Sequence, residues 1–171
     1  LRGGMALVGL VVTVGILFGF ILPRILAGAD PVGVTMIGGL VILAVNMHLT
    51  HGFNRRTLSA FGSTAIGLGL VWGFAEVFVW AAQLSGVASE EASLLFLTTD
   101  NIAIPTGILL AGIILGAVGV MDDIAITQTE TVMELKNANA AFDRKTLFIA
   151  AMRVGRHHIA SVVNTLVLAY A

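Results

Sequence analysis

Long runs of apolar residues, each bounded by a short polar stretch, constrain this chain more than any other feature. The first extends from Gly3 to Leu22 and meets Pro23-Arg24; the others cover Val32 to Leu49, Leu58 to Leu84 and Ile102 to Met121. Each approaches or exceeds the roughly 20 residues that a helix needs to cross a hydrocarbon core. A further run begins at Ile159 and is unfinished at Ala171. Inside lipid every backbone N–H and C=O must be bonded within the protein, and uninterrupted segments of this length leave the helix as the solution. Barrel strands would alternate over about ten residues, a pattern missing here. The expectation is an all-α polytopic transmembrane helix bundle of about five spans, the last incomplete. Because apolar runs are cut at both ends, residues 1–171 are expected to be a single transmembrane domain excerpted from a longer protein.

Charge agrees with this. Only 11% of residues are charged and the mean hydropathy is +0.98, whereas a soluble domain carries about a quarter charged residues. No basic patch with interleaved aromatics supports nucleic-acid binding. The chain has no cysteine, which removes disulfides and thiolate metal sites. It also has no Gly-x-Ser-x-Gly elbow and no phosphate-cradling Walker loop. The first run lacks the basic region and cleavage site of a signal peptide. No enzymatic activity and no cofactor are therefore expected. The expected partners are membrane lipid and a small-molecule or ion substrate; assembly with itself or with other subunits stays open.

Lys and Arg set the orientation. Arg2, the Arg55-Arg56 loop, and Lys136, Arg144, Lys145, Arg153 and Arg156 fall on one side by alternation of the spans; Arg24 falls opposite, with Glu90, Glu91 and Asp100. The excess of positive charge on cytoplasmic loops places the Arg55-Arg56 loop and the 122–158 region in the cytoplasm, and the protein in the cytoplasmic (inner) membrane. Glycines four apart (Gly15 and Gly19, Gly69 and Gly73, Gly112 and Gly116) read as close helix-packing positions. Trp72 and Trp80 flank Glu76 on one helical face, and Trp80 reads as an interfacial anchor.

The stretch from Gly116 to Glu134 holds the richest chemistry. It leaves the fourth span without a breaker, so one long helix is expected to extend into the cytoplasmic interface. Asp123, Thr127, Glu130 and Glu134 share a face at spacings of four, three and four, with Asp122 and Gln128 beside them. A helix over 144–171 carries Arg153, His157, Ser161 and Asn164 at similar spacings, bordered by Arg156 and His158. A turn near Asn137 to Asp143 joins the two, with Asp143 as the next N-cap. Helices so joined pack antiparallel, which would set the acidic stripe against the basic one. Three readings stay open: a structural ion-paired staple in a non-catalytic scaffold or partner subunit; proton or ion coupling in a secondary transporter or export-related component through Asp122, Asp123, Thr127, Gln128 and Glu130 with Arg153, His157 and Asn164 opposite; or a divalent-metal site with Asp122, Asp123, Glu130 or a His as ligands, and with it a metal-dependent membrane enzyme. Glu76, the one acid well inside a span, should face the bundle or a cavity, as a structural or a pathway residue. His48 and His51, three apart, read as interfacial polar residues rather than metal ligands. Pro105 fits the first turn of the fourth span.

Two motifs carry a resemblance. The run GAVGVMDDIAITQTETVMEL, followed after a polar turn by DRKTLFIAAMRVGRHHIASVVNTLVLAYA, resembles the signature of the YibE/F family of bacterial membrane proteins, and LPRILAGADP and LTHGFNRRT upstream are similar to the same family. The resemblance covers nearly the whole chain. It implies further spans beyond Ala171, an extracytoplasmic region before the first, and a suggested transport role without a substrate. His157 stands where the family pattern has Asp, which argues against a fixed base there. At the level of fold the arrangement is similar to the Sec export auxiliaries of the RND superfamily, in which a span-borne Asp serves proton-driven work; that likeness points to Asp122 or Asp123.

Overall fold

A computed structural model describes residues 2–86 and 103–170. Glu90, Glu91 and Asp100 of the charge asymmetry lie outside the described residues, as do the side chains of Arg2, His51 and Arg56. The described residues form helices and no strand: α1 (Arg2–Ile16), a π-helical turn (Leu17–Ile21), α2 (Leu22–Leu26), α3 (Pro31–His51), α4 (Arg55–Ala81), α5 (Ala103–Ala138) and α6 (Arg144–Tyr170). Four segments are long and apolar enough to cross a membrane: Leu7–Leu26, Pro31–Thr50, Thr57–Ala81 and Pro105–Ala138. Exposed Leu7, Val11, Phe18, Ile66, Phe74 and Phe78 on these helices suit a lipid environment. The stretch from Ile159 is the last part of α6, whose first half holds Arg144, Lys145, Arg153 and Arg156.

Pro23-Arg24 does not stop the first helix, as the sequence suggested; helical structure continues to Leu26. A proline within a helix removes one N–H and crowds the carbonyl four residues back, here that of Gly19. The π turn relieves both problems: Leu22 N–H reaches back to Leu17 O, and the wider turn makes room for the ring. The helix then closes on Gly28, at φ +88°, with Gly28 N–H donating to Ile25 O and Ala29 N–H to Arg24 O, a Schellman cap. Asp30 opens α3 by accepting from Gly33 N–H at 2.6 Å, and Pro31 occupies a first-turn position that needs no partner. The third span also shifts from its expected limits. The helix runs from Arg55 to Ala81 rather than to Leu84, because Gln83 turns to φ 51° while Leu84 N–H bonds Val79 O. Pro105 sits in the first turn of α5, as its position predicted.

The chain divides into two compact units, Leu1–Met121 and Asp122–Ala171. In the first, Ile21, Ile42, Leu43, Leu68, Ile114 and Val118 form the buried core. Adjacent glycines on α3 bring its neighbours close: a Cβ at Gly38 would lie 2.5 Å from Ile21, and one at Gly39 would lie 2.7 Å from Val118 Cγ2. The glycine pairs four apart behave otherwise, since a Cβ at Gly15, Gly19, Gly69, Gly73, Gly112 or Gly116 would meet nothing within 4 Å. In the second unit, α5 continues past the Asp pair to Ala138 as one helix of 36 residues, as expected. The turn that follows is closed by Lys136 Nζ, which donates to Ala140 O at 2.7 Å and to Phe142 O at 2.9 Å. Asp143 then caps α6, accepting from Thr146 N–H at 2.9 Å.

Two outcomes follow from these contacts. In thermal unfolding in detergent, Gly39→Val should cost about 1–3 kcal/mol by overpacking, whereas Gly73→Ala should be neutral or gain up to about 1 kcal/mol by helix propensity. The Thr146 side-chain and backbone hydrogen bonds hold the Asp143 carboxyl below its usual 3.8. A depressed carboxyl stabilises the fold fully above the unfolded pKa and loses that contribution as pH falls through the folded one. Protection of the Thr146 amide, taken against its intrinsic exchange rate at each pH, should therefore fall only as pH drops below 3.8, and Asp143→Asn should abolish the dependence while keeping the cap.

Candidate functional site

The residues singled out in the sequence separate into two groups, one on the hairpin of the second unit and one at the end of α4. On the hairpin, α5 presents Asp122, Thr127, Gln128 and Glu130 half-buried and Asp123 exposed. Arg153, His157 and Asn164 are all exposed, whereas the packed line of α6 runs through Ala151, Gly155 and His158. Ala151 is 3% exposed and Gly155 is buried. At about 100° per residue the two lines lie roughly 130° apart around the helix, so the basic stripe points away from the packed line. What fixes the packed line is size. A Cβ at Gly155 would sit 2.6 Å from Gln128 Oε1, so the glycine leaves room for the Gln128 amide, whose Nε2 donates to Ala151 O at 3.1 Å.

One turn further along that line, His158 meets the acidic stripe. Its Nε2 lies 3.7 Å from Asp123 Oδ2, beyond a direct hydrogen bond but within ion-pair range. The imidazole Nε2 is shielded from solvent and forms no hydrogen bond, while the Asp123 side chain remains 69% exposed. The pair sets a shielded imidazole nitrogen beside a largely exposed carboxylate. Sequence reasoning placed His158 only at the border of the basic stripe. The signal that could have found it is the small-residue line Ala151, Gly155, His158 at spacings of four and three, since small residues mark where helices approach. Thr127 offers its carbonyl to Thr131 Oγ1 at 2.8 Å. Among the described residues no group of three or more His, Asp or Glu side chains is placed to hold a metal ion.

At the end of α4, Glu76 lines an open cavity of about 430 Å³ together with Val79, Trp80, Gln83, Leu84 and Thr106. Trp72 Nε1 donates to Glu76 Oε1 at 3.2 Å, one helical turn away. Thr106 Oγ1 donates to Ser85 O at 3.3 Å, tying the start of α5 to the loop after α4. His48 is satisfied locally: its Nδ1 pairs with Ala44 O at 2.6 Å, and its ring packs on Phe53 with centroids 4.3 Å apart.

Four long apolar helices with polar groups gathered near their ends define a membrane-embedded helical protein. A family model described as YibE/F-like protein matches residues 1–171, and the chain belongs to that family. Neither the curated proteins nor the solved structures yield a match.

The Gln128–Gly155 contact gives a direct check on the hairpin. Gln128→Ala should lower stability by about 0.5–1.5 kcal/mol, the worth of one side-chain hydrogen bond, and Gly155→Ala should lower it by less, because the gain in helix propensity offsets part of the same loss. Because both break the same contact, the double variant should lose less than the sum in thermal unfolding in detergent.

Proposed function

We propose that this chain is a multi-pass protein of the bacterial cytoplasmic membrane that acts as an ion-coupled secondary transporter or as a component of an export machine. Its coupling carboxylates are Asp122 and Asp123, with His158 as their proton-exchanging neighbour and Thr127, Gln128 and Glu130 on the same helix. The observation that carries this reading is the shielded His158 Nε2 facing Asp123 at 3.7 Å. Position supports it: from Ala103 to Asp122 an α-helix rises about 28 Å, close to one hydrocarbon thickness, so the Asp pair sits where the span meets an interface. With the Lys/Arg excess marking the cytoplasmic side, that interface is the cytoplasmic one, and the Arg55-Arg56 loop shares it. The acidic part of α5, beyond Met121, is then a cytoplasmic extension of the fourth span.

The competing staple reading has less to explain. The hairpin is already closed by Lys136 on the turn carbonyls, by Gln128 on Ala151 and by the Asp143 cap. A pair whose carboxylate is largely exposed adds at most about 1 kcal/mol. Asp123 is therefore dispensable for closing the hairpin and available for chemistry.

The test uses the full-length protein in proteoliposomes with an entrapped pH dye and an imposed proton gradient. Wild type should dissipate the gradient, and Asp123→Asn, Asp122→Asn and His158→Gln should slow the flux by about 10²-fold, the scale of a lost proton-transfer group. Arg153→Gln, on the exposed face, should leave it unchanged. Flux that survives both aspartate substitutions would overturn the reading.

A further inference from the structure

Glu76 presents a different chemistry. It stands 21 residues after Arg55 in α4, a rise of about 31 Å, so it lies one membrane thickness from the basic start of that helix. That puts the carboxylate at a membrane boundary, on the side opposite the basic start of α4, rather than in the hydrocarbon. Among the described residues no Lys, Arg or His is paired with it. Its contact is the Trp72 indole N–H on Oε1, and its carboxylate borders the open cavity of about 430 Å³. That volume falls in the range of small-ligand sites.

The walls select the kind of cation. A hard divalent ion needs six or more oxygen ligands, and this cavity offers one carboxylate, the Gln83 amide and the Thr106 hydroxyl. The remaining surface is the Trp80 ring with Val79 and Leu84, which suits a weakly hydrated cation carrying alkyl groups. An indole face attracts ammonium and quaternary ammonium groups through its quadrupole, and the carboxylate supplies the counter-charge.

We propose that Glu76, Trp80, Gln83 and Thr106 form a binding site for an alkylammonium group, with Glu76 as counter-ion and Trp80 as the cation–π face. Such a group reaches a membrane boundary from two sources, a free organic amine or the headgroup of an ethanolamine lipid. The site stands apart from the coupling carboxylates and does not depend on the transport reading.

The sequence supplies its own reporter, since Trp72 and Trp80 are its two tryptophans and both are at this site. In nanodiscs of phosphatidylglycerol alone, titrating the full chain with tetramethylammonium or ethanolammonium chloride should change indole emission saturably, while sodium chloride of equal ionic strength should not. Glu76→Gln, which keeps an acceptor for Trp72, should weaken binding at least about tenfold, as expected for loss of a close opposite charge. Trp80→Leu, read through Trp72, should weaken it roughly two- to fivefold. Both side chains are exposed, and unchanged helical circular dichroism would confirm that the variants fold. Nanodiscs containing phosphatidylethanolamine then separate the sources. Weaker apparent affinity for the free amine, with emission already shifted, assigns the site to the lipid headgroup; unchanged affinity assigns it to a free amine. A response that is linear, matched by sodium, or equal in Glu76→Gln would overturn the proposal.

Discussion

A peptide group in hydrocarbon has no water to bond to, and the way each helix of this chain ends answers that constraint. Unbonded groups at a helix terminus are tolerable only where something else reaches them. The chain supplies a Schellman turn at Gly28, the Asp30 and Asn54 side chains at the starts of α3 and α4, and Lys136 and Asp143 in the hairpin turn. Polar residues are therefore concentrated at the ends of apolar helices, where capping needs them. Of the groups singled out for chemistry, Glu76 lies near the end of α4, whereas the Asp122-Asp123 pair lies within the continuous α5.

Much of the fold was legible because it follows from this one rule. Run length gave the helices, and the absence of a breaker after Met121 gave the continuous α5. The polar stretch from Asn137 to Asp143 gave the turn, and Asp143 its cap. Where the sequence misled, the cause was a competing local effect. Pro23 reads as a stop because it removes a hydrogen bond, but a single π turn re-pairs its neighbours at little cost. The glycine pairs four apart read as packing surfaces because spacing is visible and partners are not. Gly38 and Gly39, which do admit neighbours at the core, are adjacent, and each serves a different helix.

The hairpin shows the same limit in its chemistry. Charge complementarity matched an acidic stripe to the basic stripe of Arg153, His157 and Asn164, yet the packing is decided by Gly155, which carries neither charge nor polarity. Close approach is set by volume first; whatever polar group borders that contact then becomes the partner, and here it is His158. Lines of small residues thus predict which polar groups meet better than the polar groups themselves do. Glu76 is exposed and lines an open cavity, and because the helix ends at Ala81, sooner than the hydropathy implies, it lies near the helix end.

The π turn at Leu17–Ile21 has one more effect, on the phase of the first helix. Gly9 and Thr13 both adjoin Asn46 of α3, and Ile21 adjoins Gly38 of the same helix. In an unbroken α-helix, Ile21 would point about 120° away from Gly9 and about 80° away from Thr13, at 100° per residue. One residue absorbed by a π turn brings Ile21 back to within roughly 20° of both, because it subtracts a single 100° step. The widened turn therefore acts as a rotary correction, keeping a contact line of fourfold spacing on one side where an uninterrupted helix would wind it out of reach. Through its demand for that turn, one proline sets which residues face the neighbouring span along the whole length before it.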